Sequence, residues 1–190
     1  MRATYASKWV VRDYPHLMPI YALGELVPQI DRSAYIHPDA VIIGSVIIGP
    51  ESSVWPTAVL RADTGVLTIG ARTNIQDGAV IHTHSKHVTT IGDDVVVGHN
   101  VHIEGAVIGN SSLIGSGSTV LQGSTIGFNA LVGAQALVPP NTEVPDYAKA
   151  LGVPAKIILD SVEPGFGSPN AKFYVTAGKR YSQELRRIED

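Results

Sequence analysis

Branched aliphatic residues recur at every sixth position along most of the segment from Ile43 to Val138. The series are Ile48, Val54 and Leu60, then Ile69, Ile75 and Ile81, then Ile91, Val97 and Ile103, and finally Ile108, Ile114, Val120, Ile126, Val132 and Val138. A fixed short period of this kind is the signature of a solenoid. Six residues are too few for a helix and a turn, but they suit one short strand and a corner. Three units therefore predict one triangular coil of about eighteen residues.

The residues around each aliphatic position support this prediction. Small residues lie two positions before it and fit a narrow interior: Ser52, Ala58, Thr73, Ala79, Ser112, Ser118, Ser124, Ala130 and Ala136. Glycine often follows directly, where a corner needs unusual backbone angles. The pattern resembles the hexapeptide-repeat family, which implies an all-β, left-handed parallel β-helix. An ordinary β-sandwich is the alternative, but its turns recur about every 8–12 residues rather than every six.

The repeat sets the expected domain boundaries. Residues 1–17 are predicted to be an N-terminal arm, 18–156 the left-handed β-helix domain, and 157–190 a linker followed by a C-terminal α-helix. The linker is expected over residues 160–170, which are rich in Gly, Pro and Ser.

The helix is predicted from Ala177 to Ile188, because Tyr181, Leu185 and Ile188 follow the i, i+4, i+7 spacing.

Two steps of the repeat are longer than six residues: Leu60 to Ile69 takes nine residues, and Ile81 to Ile91 takes ten. Each predicts a loop at a corner of the solenoid, where insertions often serve function.

Composition narrows the function classes. The chain has 190 residues, 16% charged residues, a net charge of −3 and no cysteine. Neither a disulfide framework nor thiol chemistry is therefore expected, and no basic run indicates nucleic acid. No apolar run reaches transmembrane length, and the N-terminus lacks a signal-peptide core. We expect a soluble, cytoplasmic protein without a membrane partner.

Histidines provide the candidate chemistry. Five of the seven fall between positions 82 and 102: His82, His84, His87, His99 and His102. This density within an aliphatic repeat indicates a metal site. His82 and Glu104 each follow an inward-facing residue and lie one coil apart, so their side chains should stack at ~4.8 Å. A compact site needs another ligand from a different direction, and a neighbouring subunit can supply it.

Three segments carry a closer resemblance: Arg61-Ala62-Asp63, the run from Ile69 to His82, and the run from Ile91 to His99. Together they resemble the γ-class carbonic anhydrases. The resemblance implies a homotrimer with metal sites between subunits, each using two histidines of one chain and one of the next. It makes His82 a ligand and His99 the ligand presented to the neighbour. Zinc is the expected metal, with iron or cobalt as alternatives, and CO2 or bicarbonate the substrate.

The same resemblance assigns further roles. Gln76 matches the residue that orients metal-bound hydroxide, and Asn74 matches a nearby polar site residue. A further set matches interface and structural positions: Arg61, Asp63 and Asp77. His84 lies in the corner insertion, where a histidine can carry protons because imidazole exchanges them near neutral pH. A solvated loop without a catalytic role is the alternative for His84.

The chain departs from the family at one ligand. The family places its third histidine five residues after the Gly-His pair, and Glu104 occupies that position here. Either Glu104 is a carboxylate ligand, in a two-His, one-carboxylate site, or the metal is lost. His102 is discounted as a substitute because a shift of one residue along a strand reverses its face.

Three functions follow. The first is a carbonic anhydrase-like lyase, weakened if Glu104 lowers the charge on the metal and makes its bound water less acidic. The second is a hexapeptide acyltransferase or thioesterase acting on CoA substrates, with a histidine base in a cleft between subunits. The third is a non-catalytic trimeric scaffold. Metal content, acyl-CoA binding and copurifying partners distinguish them.

Overall fold

A computed structural model describes residues 9–10 and 18–188; the rest of the predicted N-terminal arm lies outside the described residues. The strands of the described part are, in chain order, β1 (Trp9–Val10), β2 (Ile20–Tyr21), β3 (Gln29–Asp31), β4 (Tyr35–Ile36), β5 (Val41–Ile48), β6 (Ser53–Val54), β7 (Val59–Ile69), β8 (Asn74–Ile75), β9 (Val80–His82), β10 (Thr89–Ile91), β11 (Val96–Val97), β12 (His102–Glu104), β13 (Val107–Ile108), β14 (Leu113–Ile114), β15 (Thr119–Val120), β16 (Thr125–Ile126), β17 (Leu131–Val132), β18 (Leu137–Val138), β19 (Glu143–Val144), β20 (Lys149–Leu151) and β21 (Lys156–Ile158). One helix, α1 (Ser168–Glu184), follows them.

These strands form the three faces of a left-handed parallel β-helix, which confirms the predicted fold class. Face 1 contains β9, β12, β15 and β18; face 2 contains β10, β13, β16 and β19; face 3 runs β4, β6, β8, β11, β14, β17, β20. Each strand pairs in parallel with its equivalent one coil away, for example Ile81 with Ile103 and Ile103 with Val120. The inward aliphatic residues are buried and form one continuous core.

The small residues two positions before each inward aliphatic are buried as predicted. Several of these residues form hydrogen bonds between coils. The Ser52 hydroxyl donates to the Gly70 carbonyl at 2.6 Å, and the Thr73 hydroxyl donates to the Gly92 carbonyl at 2.7 Å. Buried hydroxyls need such partners. The small polar residues therefore fill the narrow interior and also connect successive coils.

The two long steps of the repeat have different outcomes. Between Leu60 and Ile69 the structure has no loop, and the predicted one is wrong. The chain continues as the single strand β7, which pairs with β9 on face 1 and with β10 on face 2. A register shift in the pairing of β7 with β5, between Gly44 and Val46, accommodates the extra residues. The second step does form a loop, residues 83–88, between β9 and β10.

The predicted helix is displaced. It begins at Ser168, inside the segment assigned to a linker, and ends at Glu184. Pro169 lies in its first turn, where proline is favoured because its missing N–H is not needed there. Leu185 and Ile188, two of the three residues whose spacing predicted the helix, follow it and are 46% and 78% exposed.

The contact face of α1 uses small residues and two tyrosines, Tyr174 and Tyr181, instead. Ala171 and Gly178 are its buried residues, and Gly178 lies against Tyr35 and Ser53 of face 3. Tyr181 packs edge-on against Trp55, with ring centroids 5.0 Å apart. The helix packs on β4, β6 and β8 and so covers the first coils of face 3.

Residues 157–188, here named the C-terminal strap, run from the last coil back along face 3 to the first. The N–H groups of Ser161 and Val162 donate to the Tyr147 carbonyl at 3.0 and 2.9 Å. Asn129 is buried at a corner with φ 51°; its amide donates to the Glu163 carbonyl at 3.0 Å and accepts from the Gly165 N–H at 2.8 Å. The Asn129 side chain thus binds the strap at two points, Glu163 and Gly165, before α1 begins.

Replacing Asn129 with alanine should lower the free energy of unfolding by about 1–3 kcal/mol, since two hydrogen bonds to the strap are lost. Urea unfolding measures the change. Asn141→Ala is the matched control, because Asn141 has a similar φ of 58° at another corner and does not hydrogen-bond the strap. Equal losses in the two variants would show that only the backbone conformation matters.

No helix in the described part of the chain is long and apolar enough to cross a membrane.

Candidate functional site

His82 ends β9 and lies in a column of outward-facing side chains on face 1. The strand register aligns Arg61 of β7 with His82, and His82 with Glu104 of β12. The column arises because each of the three residues follows a buried aliphatic residue that faces the core. The predicted stacking of His82 and Glu104 in adjacent coils is therefore present.

His82 has a carboxylate partner. Its Nε2 lies 3.0 Å from Oδ1 of Asp63, and the two side chains are only 20% and 23% exposed. The other carboxylate oxygen of Asp63 pairs with the Arg61 guanidinium. This arrangement assigns the Nε2 proton of a neutral His82 to the bond with Asp63. Nδ1 is then the ring nitrogen with a free lone pair.

The net effect of these contacts is to lower the pKa of Asp63. Desolvation raises this pKa, but hydrogen bonds from His82, the backbone and Arg61 outweigh it. Hydrogen bonds to the charged form favour that form. Asp63 thus remains ionised beside His82, as an orienting carboxylate must.

This shift predicts a pH dependence of stability. Because the folded-state pKa lies below its ordinary value of 3.8, the contribution of Asp63 is fully present above that value and is lost as pH falls through the folded-state pKa. The difference in unfolding free energy between wild type and Asp63→Asn should therefore shrink in acid. Urea unfolding at several pH values measures it, with Asp160→Asn, at an exposed carboxylate, as the control. A pH-independent difference would contradict the expectation.

His102 faces outward, so the reason for discounting it as a ligand is wrong. His102 and Glu104 flank the buried Ile103, so both face outward; residues two apart on a strand share a face. Their side chains are neighbours, with His102 Nε2 3.7 Å from Glu104 Oε2. His102 therefore belongs to the same surface as His82 and Glu104.

His99 lies elsewhere in the same chain. It follows β11 at the corner between faces 3 and 1, where its Nδ1 lies 3.0 Å from an Asp77 carboxylate oxygen. His82 is at the opposite edge of face 1. Within residues 18–188 of one chain, the structure brings together no group of three His, Cys, Asp or Glu side chains that could hold a metal. The described part of one chain thus does not assemble the predicted ligand set, and its completion by a second subunit stays a prediction.

Asn74 and Gln76 belong to face 3. Both are buried, and the Gln76 amide donates to Asn74 Oδ1 at 2.9 Å. Asn74 in turn donates to the Val95 carbonyl at 3.3 Å. Within one chain this pair stands on a different face from His82, and its role at a reaction centre stays a prediction.

The loop of residues 83–88 packs onto the following coils. The His84 and His87 rings lie 5.0 Å apart, and His84 Nδ1 accepts from the Lys86 N–H at 3.1 Å. A Cβ at Gly105 would lie 2.7 Å from the Cβ of His84, so only glycine fits beneath the loop. His84 is thus held beside face 1, and its catalytic role stays a prediction.

The pairing of Asp63 with His82 was not predicted; the resemblance implied an interface or structural role for Asp63. The signal was available in the spacing. Arg61 shares a column with His82, and Asp63 is two residues further along the same strand, where side chains return to the same face.

Comparisons with known proteins define the family. Residues 89–122 match the family model described as bacterial transferase hexapeptide (six repeats). The structure superposes on a candidate acetyltransferase from Bacillus cereus with a TM-score of 0.84 and 35% sequence identity, over 87% of this chain and 98% of that one. For a hexapeptide transferase family protein from Anaplasma phagocytophilum the TM-score is 0.81 and the identity 30%, with the same coverage of 87% and 98%.

Among curated proteins, Protein YrdA of Escherichia coli (strain K12) is 43% identical over 93 residues, 45% of this chain and 50% of that protein. The chain spans about half the length of the curated relatives it matches. The fold and site define a parallel β-helix built from hexapeptide repeats with a histidine–carboxylate pair on one face. The chain belongs to the hexapeptide transferase family.

Proposed function

We propose that this protein is a hexapeptide acyltransferase or thioesterase that acts on a CoA thioester. His82 serves as the general base, and Asp63 orients it. The observation that carries the proposal is the 3.0 Å contact between His82 Nε2 and Asp63 Oδ1, which leaves Nδ1 available to accept a proton. A base held by a third group is the arrangement that activates a nucleophile in acyl transfer. The likeness to the candidate acetyltransferase from Bacillus cereus supports this choice over CO2 hydration.

The reaction needs one proton to move. His82 Nδ1 removes the proton of the acceptor hydroxyl, amine or water, and the acceptor attacks the thioester carbonyl carbon. When the tetrahedral intermediate collapses, the C–S bond breaks and the thiolate of CoA takes the proton from His82. Ionised Asp63 stabilises the imidazolium between these two steps without itself taking the proton.

The reaction centre is proposed to lie between subunits of a homotrimer. The His82 side chain is 20% exposed on face 1, and the His99 of the same chain lies at the opposite edge of that face beside Asp77. A second subunit against face 1 would exclude water and bring a second histidine–carboxylate pair, His99 with Asp77, to the cleft.

Thiol release from acetyl-CoA by the purified protein tests the proposal. We expect saturable release, competed by free CoA, with a rate that rises when a suitable acceptor is present. Absence of both acetyl-CoA binding and thiol release at millimolar substrate would remove the proposal.

A second function is supported by the aligned column on face 1. Glu104 is in register with His82 one coil away, so His82 and Glu104 of one subunit and His99 of another would hold a divalent metal, with zinc as the first choice. The bond from His82 to Asp63 fits such a ligand, because metal-binding histidines usually donate their other ring N–H to a carboxylate. When bound, the metal would supply hydroxide for CO2 hydration.

Metal content and CO2 hydration test this second function. It predicts about one divalent metal per subunit, lost in His82→Ala and in His99→Ala, and faster CO2 hydration in Glu104→His. Protein that contains no metal after metal-supplemented expression would remove it.

A further inference from the structure

The end of the C-terminal strap forms a cavity with the first coil of the solenoid. The cavity has a volume of about 330 Å³ and is lined by His37, Pro38, Asp39, Leu185, Arg186 and Arg187. Ligand pockets typically begin at about 300 Å³. None of these residues takes part in the reaction proposed for His82.

The cavity is cationic. Arg186 and Arg187 contribute two permanent charges, and neither forms an ion pair with another residue in the range 18–188. Among the described lining residues Asp39 is the one carboxylate; its side chain is 74% exposed and lies 3.8 Å from His37 Nδ1. Within residues 18–188, two guanidiniums against one exposed carboxylate give the wall a net positive charge that suits an anionic ligand.

His37 contributes a hydrogen-bond donor to the cavity wall, and its tautomer is fixed by a backbone contact. Its side chain is only 12% exposed, and its Nδ1 accepts from the Asp39 N–H at 3.1 Å. Nε2 therefore carries the ring proton. Burial lowers the pKa of His37, and the nearby Asp39 and Asp77 only partly offset this effect. The imidazole is thus a neutral donor on the wall of a cavity whose charge comes from arginine.

The remaining wall is apolar. Pro38 and the side chain of Leu185, which is 46% exposed, lie beside the two arginines. Arginine binds phosphate oxygens through paired N–H groups and also stacks on flat rings. Guanidiniums beside an apolar wall suit a ligand with both a phosphate and a planar base.

We propose that this cavity binds the adenosine 3′,5′-bisphosphate end of the CoA donor. The proposal rests on the proposed acyl transfer and names where the donor is held. His82 ends β9, which lies in the same coil as β8, and β4, which precedes His37, is two coils from β8. At ~4.8 Å per coil this is about 10 Å along the solenoid axis, and the width of face 1, about five residues at ~3.3 Å each, separates the two groups further across the face. CoA in an extended conformation, with its pantetheine arm along face 1, spans this combined distance. Free phosphate shares the charge of this ligand but does not need the apolar wall.

Calorimetric titration of the full-length chain tests the assignment, with adenosine 3′,5′-bisphosphate, CoA, dephospho-CoA and orthophosphate as ligands. Arg186→Gln and Arg187→Gln should each weaken bisphosphate and CoA binding about ten-fold. Asp39→Asn should tighten it, because the one opposing charge is removed. Arg180→Gln is the matched control: this guanidinium, on the same strap, pairs with Glu184 at 3.3 Å and does not line the cavity.

The outcomes separate the two proposals. Bisphosphate binding that depends on Arg186 and Arg187, without thiol release from acetyl-CoA, supports the cavity and removes acyl transfer. Thiol release with an unchanged KM for acetyl-CoA in the Arg186→Gln/Arg187→Gln double variant removes the cavity and keeps acyl transfer. Orthophosphate binding as tight as bisphosphate binding overturns the nucleotide assignment. Thermal unfolding of each variant verifies that it is folded.

Discussion

Replacing His82 with glutamine should lower the rate of thiol release from acetyl-CoA by about 10²–10⁴-fold, the usual contribution of a general base. Glutamine keeps a polar side chain of similar length next to Asp63 but cannot accept the proton at Nδ1. The loss should appear in kcat, with little change in the KM for acetyl-CoA, because the base acts in the transition state.

His102→Gln is the matched control for this prediction. His102 is a second outward-facing histidine of face 1, one coil away, and its partner Glu104 belongs to its own strand. We expect it to retain near wild-type kcat. If both variants lose activity equally, then the surface of face 1 as a whole matters, and His82 is not the base.

Replacing Trp55 with alanine should lower the free energy of unfolding by about 3–5 kcal/mol, the range for deletion of a large buried aromatic side chain. Trp55 is 5% exposed and packs against Tyr181 and Tyr174 of α1, with ring centroids 5.0 and 5.2 Å away. Its Nε1–H donates to the Ser53 hydroxyl at 2.9 Å. The change therefore removes the contact that holds α1 on face 3 as well as the buried area.

Urea unfolding and far-ultraviolet circular dichroism measure the effect. Phe173→Ala is the control, because Phe173 lies on the same helix but is 63% exposed. We expect the control to change the unfolding free energy by less than about 1 kcal/mol. Equal effects of the two substitutions would show that α1 is not anchored through Trp55.

The solenoid is predictable because a short repeating sequence pattern determines it. An inward aliphatic residue every six positions fixes which side chains face the core, and small residues such as Ser112 and Ser118 fit the interior at the same spacing. Repetition also fixes the register, so that Ile81 pairs with Ile103. The stacking of His82 and Glu104 followed from these two facts alone.

The parts that were mispredicted depend on contacts outside the repeat. Helix α1 lies on face 3 through Ala171 and Gly178, small residues that carry no signal in a hydrophobic pattern. The apolar residues that suggested a stripe, Leu185 and Ile188, follow the helix. The extra residues after Leu60 looked like a corner loop, but they remain in β7 because β5 offers a partner across a register shift.

The candidate site was predictable only in part, because its contacts depend on side-chain geometry that the repeat does not specify. The histidines cluster in the sequence, and the spacing places Asp63 on the same face as His82, but spacing alone does not give the hydrogen-bonding contacts of His82 with Asp63 and of His99 with Asp77. In the proposed trimer, the meeting of these pairs would depend on how the faces of separate copies pack, and such packing leaves no periodic pattern in one chain.

Thiol release from acetyl-CoA, measured before and after exhaustive treatment with a strong metal chelator, most directly tests whether His82 and Asp63 catalyse acyl transfer themselves. We predict saturable release at the same rate in both samples, reduced at least a hundred-fold by His82→Gln. Release that disappears with the chelator and returns with zinc, or no release from either sample, would contradict the account.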